Sequence, residues 1–223
     1  MSKLLERIEI ETAPNPTAAV IWLHGLGASG DDFSPWARQM KLDDLGGIRF
    51  IFPHANTMPV TISNGYIMRA WYDIVSLNRL DQREDEQGLR TSQQLIEALI
   101  ARELERGIPA ERIILAGFSQ GCVMTLQTGL RYPQRLAGLM CLSGYLPLAA
   151  SVAQERSPAN QSTPIFMGHG RSDDVIPMML GERSRDALSA MGYDVEWHDY
   201  PMPHSTCMDE LNDIVRWIRK VLA

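Results

Sequence analysis

Only three cysteines, Cys122, Cys141 and Cys207, occur in 223 residues, and no two stand in a C-x-x-C pair. An odd, sparse set excludes a disulfide framework and points to a reducing compartment, the cytoplasm. The N-terminal stretch Met1-Ser2-Lys3-Leu4-Leu5-Glu6 meets charge too early for a signal peptide, and no apolar run is long enough for stable insertion in a membrane. Basic residues are outnumbered, 21 Lys and Arg against 27 Asp and Glu, giving a net charge of −6. Without clustered cations, neither nucleic acid nor an anionic membrane surface is expected as a partner. Nor does any pair of His, Cys or carboxylate residues have ligand spacing on one helix, so no metal is expected. The chain has no internal repeat, low-complexity tract or linker-like shift in composition. Residues 1–223 therefore read as a single domain.

Hydrophobic residues make up 45% and charged residues 22%, ordinary values for a soluble globular chain of this length, which buries roughly 70 to 75% of its unfolded surface. Short apolar runs alternate with helical periods throughout. Strands are expected at Arg7–Glu11, Ala18–His24, Ile48–Pro53, Arg112–Phe118, Leu136–Ser143, Pro164–Gly168 and Asp194–Tyr200. Helical spacing of Leu95, Ile96, Leu99, Ile100 and Leu104 places a helix over 91–106, and Leu211, Ile214, Val215 and Ile218 share a face near the C-terminus. Ser34-Pro35 reads as an N-cap and first helical residue of a short helix running to Met40. Near-continuous apolar strands suit a mostly parallel sheet buried on both faces by helices, an α/β architecture. The run Asp81-Gln82-Arg83-Glu84-Asp85-Glu86 mixes both signs and reads as a solvated loop. It lies in a long excursion, 57–90, whose aromatics Tyr66, Trp71 and Tyr72 suit either a substrate surface or a homodimer contact.

Gly117-Phe118-Ser119-Gln120-Gly121 follows an apolar strand and opens a helix. A G-x-S-x-G there drives the backbone through a sharp turn that lifts the serine hydroxyl above the sheet. Serine is a weak nucleophile alone, so the turn has chemical meaning only beside a histidine base, an orienting carboxylate and an oxyanion hole. His204 lies in the loop between the last strand and last helix, at the sheet's carboxyl edge, and is the candidate base. Among the other histidines, His24 and His169 precede glycines at strand ends and suit hydrogen bonds to loop backbone, His54 follows a proline at another strand end, and His198 lies within a strand. The chain order Ser, acid, His places the acid between them, where Asp173 and Asp174 are both available. One of these two would be a bystander, suited to capping the helix near Pro177. The residue after the nucleophile, Gln120, normally gives one oxyanion N–H, and Leu26, between two glycines in the loop after an early strand, can give the second.

The same loop, Gly25-Leu26-Gly27-Ala28-Ser29-Gly30, is a literal G-x-G-x-x-G. A dinucleotide site is disfavoured, because the next strand ends Phe52-Pro53-His54 without a carboxylate for the ribose, and Asp31-Asp32 would repel a pyrophosphate. No cofactor is expected. Cys122 and Cys141 read as small buried residues, whereas Cys207 falls near the site without the elbow geometry.

Five landmarks in register resemble the phospholipase/carboxylesterase family of small α/β-hydrolases, whose relatives include bacterial carboxylesterases and acyl-protein thioesterases. They are His24-Gly25-Leu26-Gly27, Trp71-Tyr72-Asp73, the elbow, His169-Gly170-x-x-Asp173-x-x-Ile176-Pro177, and Met202-x-His204. The resemblance implies a Ser119-His204-Asp173 triad, Leu26 and Gln120 as oxyanion donors, no large cap domain, and an acyl groove lined by Trp71, Ile74 and Leu77. It implies a serine hydrolase acting on small-molecule or lipid-derived esters or thioesters, with acyl-protein thioesterase or lysophospholipase as alternative main activities. A non-catalytic binding module on the same fold would have lost a member of the triad. The departures are Cys122, where the family has a second glycine after the elbow, and Asp174, an added charge beside the acid.

Overall fold

All seven expected apolar runs form strands of one sheet. The computed structural model describes residues 4–76 and 84–223. In it the strands are β1 (Arg7–Glu11), β2 (Ala18–Leu23), β3 (Ile48–Pro53), β4 (Thr57–Val60), β5 (Tyr66–Arg69), β6 (Ile113–Phe118), β7 (Gly138–Leu142), β8 (Ile165–Gly170) and β9 (Val195–Tyr200). The helices are α1 (Trp36–Gln39), α2 (Glu86–Glu105), α3 (Gln120–Gly129), α4 (Ala149–Glu155), α5 (Met178–Ala190) and α6 (Met208–Leu222). The large sheet has the order β1-β3-β2-β6-β7-β8-β9, with β1 antiparallel to β3 and the remaining pairs parallel. This is a single-domain α/β fold with a mostly parallel sheet.

The strand period divides the core. In β2, Ala19, Ile21 and Leu23 face the layer containing Leu89, Ile96 and Leu99 of α2, together with buried residues of α3, α4 and α5. Ala18, Val20 and Trp22 face the other layer, with Ala37 of α1 and Leu211, Ile214, Trp217 and Ile218 of α6. Every residue of β2 is buried, as a strand covered on both faces requires. Among the described residues, no helix is long and apolar enough to cross a membrane.

Four local expectations need correction. The helix expected from residue 91 starts at Glu86, because Asp85 caps it, Oδ1 accepting the Gly88 N–H at 2.9 Å. The neighbouring Glu84 is not a freely solvated charge, since its carboxylate accepts the Leu148 N–H at 2.9 and 3.0 Å. Residues 81–83 of the same charge run lie outside the described residues. Ser34 does not cap α1, which has no side-chain cap; its hydroxyl donates to the Asp31 carbonyl at 3.3 Å, and Ser29 and Asp32 form a capping box on a separate 3₁₀ turn upstream. Finally, the excursion after β3 holds an unexpected hairpin, β4–β5, turned by Asn64 and Gly65 at positive φ.

Glu210 of α6 is fully buried, and neither carboxylate oxygen has a hydrogen-bond partner among the described residues. Burial, helped by nearby Asp213, raises its pKa from 4.5 to about 8. Below pH 4.5 the group is protonated in both folded and unfolded chains and costs nothing. Between 4.5 and about 8 only the unfolded chain ionises, so folding loses stability as pH rises until the penalty is complete. Glu210→Gln keeps the shape and the polar load of the protonated acid but cannot ionise. Melting curves should show the variant gaining roughly 5 kcal/mol over the wild type at pH 9 and nothing at pH 4. A difference independent of pH would overturn this assignment.

Candidate active site

The strand order reverses direction between β2 and β6, and in open α/β sheets the crevice at the carboxyl ends beside such a point is where ligands bind. Ser119 leaves β6 there with φ 56° and ψ −118°, a conformation that L-residues rarely adopt. Glycine is obligatory on both flanks of the turn. A Cβ at Gly117 would lie 2.1 Å from the Gly121 carbonyl carbon, and one at Gly121 would lie 2.0 Å from the Leu23 carbonyl oxygen. The Ser119 N–H donates to the Leu142 carbonyl at 2.9 Å, which anchors the elbow to the neighbouring strand.

The three side chains expected to act together are within hydrogen-bond reach. His204 Nε2 lies 2.9 Å from Ser119 Oγ, and His204 Nδ1 lies 2.7 Å from Asp173 Oδ2. His204 hangs in the loop between β9 and α6, its ring packed on Phe118 with centroids 4.8 Å apart. The other oxygen of Asp173, Oδ1, accepts the N–H groups of Val175 at 2.9 Å and Ile176 at 2.8 Å. Burial pushes the Asp173 carboxyl up, but the His204 hydrogen bond and these two N–H donors outweigh it and hold the pKa below its ordinary value. An ionised Oδ2 must accept, so Nδ1 of a neutral His204 carries the proton and Nε2 presents its lone pair to the serine O–H. Asp174 is exposed and caps nothing, since Pro177 precedes α5 without a side-chain cap bond. The arrangement can therefore draw a proton from Ser119 and return it to a leaving group.

The loop after β2 abuts the serine, since a Cβ on Gly25 would lie 3.3 Å from Ser119 Cβ. The Leu26 N–H makes no hydrogen bond among the described residues. Gln120 is the first residue of α3, so its N–H has no carbonyl one turn earlier to accept it. Two unengaged donors thus flank the hydroxyl. A cavity of about 470 Å³ opens beside it, lined by Leu26, Phe33, Trp36, Phe118, Val175 and His204 among others. A larger one, about 640 Å³, lies by α4 and α5 and includes neither Ser119 nor His204 in its lining.

The expected acyl groove requires correction. Trp71 is 2% exposed and Ile74 is 7% exposed; both belong to the core layer under α2, and neither lines the cavity beside Ser119. Their apolar surface is spent on packing. Leu77 lies outside the described residues. What sequence reasoning missed is polar. The Trp71 indole donates to the His24 carbonyl at 2.8 Å, and the Gln120 side chain grips the Trp71 and Tyr72 backbone at 3.0 and 2.8 Å. The only sequence signal for this was the proximity of Trp71-Tyr72 to the other landmarks in order.

The remaining candidates resolve simply. Cys122 and Cys141 are buried, and Cys207 is half-buried at the start of α6. His24 and His169 bond loop carbonyls, those of Gly25 at 2.7 Å and Ile176 at 2.8 Å. The glycine-rich loop is no phosphate cradle, because the Gly30 N–H donates to His54 Nδ1 at 3.1 Å and the Asp31 N–H to Ser29 Oγ at 3.3 Å. Among the described residues, no three His, Cys, Asp or Glu side chains converge to hold a metal ion.

Comparison with known proteins places the chain in a family. The chain is 43% identical over 209 residues to an acyl-protein thioesterase 1 of Neurospora crassa, covering 89% of this chain and 84% of the relative. It is 38% identical to an acyl-protein thioesterase 1 of Yarrowia lipolytica, covering 92% of each. Among solved structures, Arabidopsis thaliana SOBER1 superposes with a TM-score of 0.86 at 31% identity, covering 92% of this chain and 99% of that one. Zea mays acyl-protein thioesterase 2 gives 0.85 at 27%, covering 98% and 99%. The pattern of the phospholipase/carboxylesterase family matches residues 6–222, nearly the whole chain, with the elbow, the loop after β2 and the Asp173 and His204 loops all inside it. The chain belongs to the phospholipase/carboxylesterase family of α/β hydrolases.

Proposed function

We propose that the protein hydrolyses carboxylic esters and acyl thioesters through an acyl-enzyme on Ser119. One observation carries this reading: the unbroken path from Asp173 through His204 to Ser119, with links of 2.7 and 2.9 Å. As the serine oxygen attacks the acyl carbon, its proton passes to His204 Nε2, and the negative charge on the carbonyl oxygen falls to the N–H groups of Leu26 and Gln120. The bond from carbon to the leaving oxygen or sulfur then breaks, and His204 returns the proton to that atom. Water enters, gives its proton to His204, and releases the acid while Ser119 recovers its hydrogen. Asp173 keeps the imidazole in the required tautomer and stabilises the imidazolium.

Thioesters belong in this reading because relatives at 43% and 38% identity are named acyl-protein thioesterases. The unpaired Cys122, Cys141 and Cys207 fit work in a reducing cytoplasm, where S-acylated cysteines of other proteins would be found. The test is a set of parallel rates on p-nitrophenyl esters of rising chain length and on an S-palmitoylated peptide. Turnover of both classes, with release of free thiol from the peptide, is the expected result. Ester turnover without thiol release would confine the function to carboxylic esters, and no turnover of either would overturn it.

A further inference from the structure

The two backbone donors proposed above come from different strands, Leu26 after β2 and Gln120 after β6, and something must fix their mutual position. The Leu26 N–H belongs to the same peptide as the Gly25 carbonyl and, with no cis bond among the described residues, points the opposite way. Whatever holds that carbonyl therefore aims the N–H. The Gly25 oxygen accepts the Ala28 N–H at 3.2 Å and faces His24 Nδ1 at 2.7 Å. His24 Nε2 lies 3.0 Å from the Ala55 N–H, a group that can only donate, so Nε2 holds the lone pair and Nδ1 the proton. His24 is buried, and burial lowers its pKa and keeps the ring neutral, as this bonding requires.

Trp71 joins His24 to the opposite donor. Its indole N–H donates to the His24 carbonyl at 2.8 Å, and its ring lies 5.3 Å from the imidazole. Its backbone N–H donates to Gln120 Oε1 at 3.0 Å, while Gln120 Nε2 donates to the Tyr72 carbonyl at 2.8 Å. The Ser92 hydroxyl, from α2, donates to the Trp71 carbonyl and ties the assembly to the core. One buried residue thus bonds both to the residue that aims Leu26 and to the side chain of the residue that bears the other N–H.

We propose that Trp71 is a positioning residue that sets the spacing of the two oxyanion donors, acting on Leu26 through His24 and on Gln120 through its side-chain amide. This rests on the proposed acyl-enzyme reading. It predicts that damage to the truss weakens transition-state binding while leaving ground-state binding intact. Trp71→Phe retains the aromatic body and loses the indole donor. Gln120→Met retains the backbone N–H and loses the amide grip.

Kinetics on p-nitrophenyl butyrate, with inhibition by a trifluoromethyl ketone that forms a tetrahedral oxyanion adduct, reads the effect. Complete loss of one oxyanion donor costs about two to three orders of magnitude, so a misaimed donor should cost roughly tenfold to thirtyfold in kcat. KM should stay within about twofold, the ketone inhibition constant should rise by the same factor as kcat falls, and the double variant should lose less than the product of the single losses. A fall in kcat with ketone affinity intact, or a rise in KM alone, would overturn the proposal. If Trp71→Phe does not fold, Gln120→Met carries the same two readouts. Wild-type inactivity on the ester would instead count against the acyl-enzyme reading itself.

Discussion

Ser119→Ala should lower kcat by on the order of 10⁶, as loss of the nucleophile does in serine hydrolases, while leaving the melting temperature unchanged within a degree or so. The fold has little to lose, because among the described residues the Ser119 hydroxyl hydrogen-bonds only His204 Nε2. Alanine keeps the same Cβ and the same strained backbone. Ser119→Gly gives the complementary result. With φ at 56°, the elbow stores strain of about 1–3 kcal/mol that glycine does not feel, so this variant should be equally inactive yet melt higher. Ester turnover and thermal melts on both variants check the pair. Retained esterase activity in Ser119→Ala would remove Ser119 from the chemistry, and equal melting of Ala and Gly would remove the strain argument.

The paired outcome expresses a division visible along the whole chain. Elements whose residues serve packing were legible from sequence. The strand at 48–53, buried at every residue, has the bounds expected, because apolar content and turn formers at both ends report burial directly. Elements fixed by a single polar bond were not. The start of α2 depends on Asp85 accepting the Gly88 N–H, and one carboxylate in a mixed charge run gives no sign of being a cap. The β4–β5 hairpin was hidden because Tyr66 and Ile67, apolar residues whose burial would be expected, are 70% and 66% exposed. At the site, the order Ser, acid, His was readable but left two aspartates equivalent; only the family resemblance pointed to Asp173, whose Oδ1 is held by the Val175 and Ile176 N–H groups. Trp71 shows the converse failure. The family resemblance suggested that it lines a groove, whereas its indole nitrogen and backbone commit it to the buried truss.

Asp173→Asn should lower kcat by on the order of 10⁴, and the geometry states why. Asparagine has one acceptor end and one donor end, and the Val175 and Ile176 N–H groups decide between them. Both can only donate, at 2.9 and 2.8 Å, so the amide oxygen must occupy the Oδ1 position. The NH₂ group then sits where Oδ2 faced His204 Nδ1 at 2.7 Å. To accept that donor, Nδ1 must give up its proton, and the imidazole shifts to the tautomer bearing hydrogen on Nε2. A protonated Nε2 aimed at Ser119 Oγ cannot receive the serine proton, so the attack is stalled although every atom remains in place. KM on p-nitrophenyl esters should barely move, since the acyl contacts are untouched. Asp174→Asn, at an exposed position one residue away, should leave kcat within about twofold. If the large loss instead follows Asp174, the carboxylate that orients the base has been misassigned, and the hydrogen bonds holding Asp173 serve the loop alone.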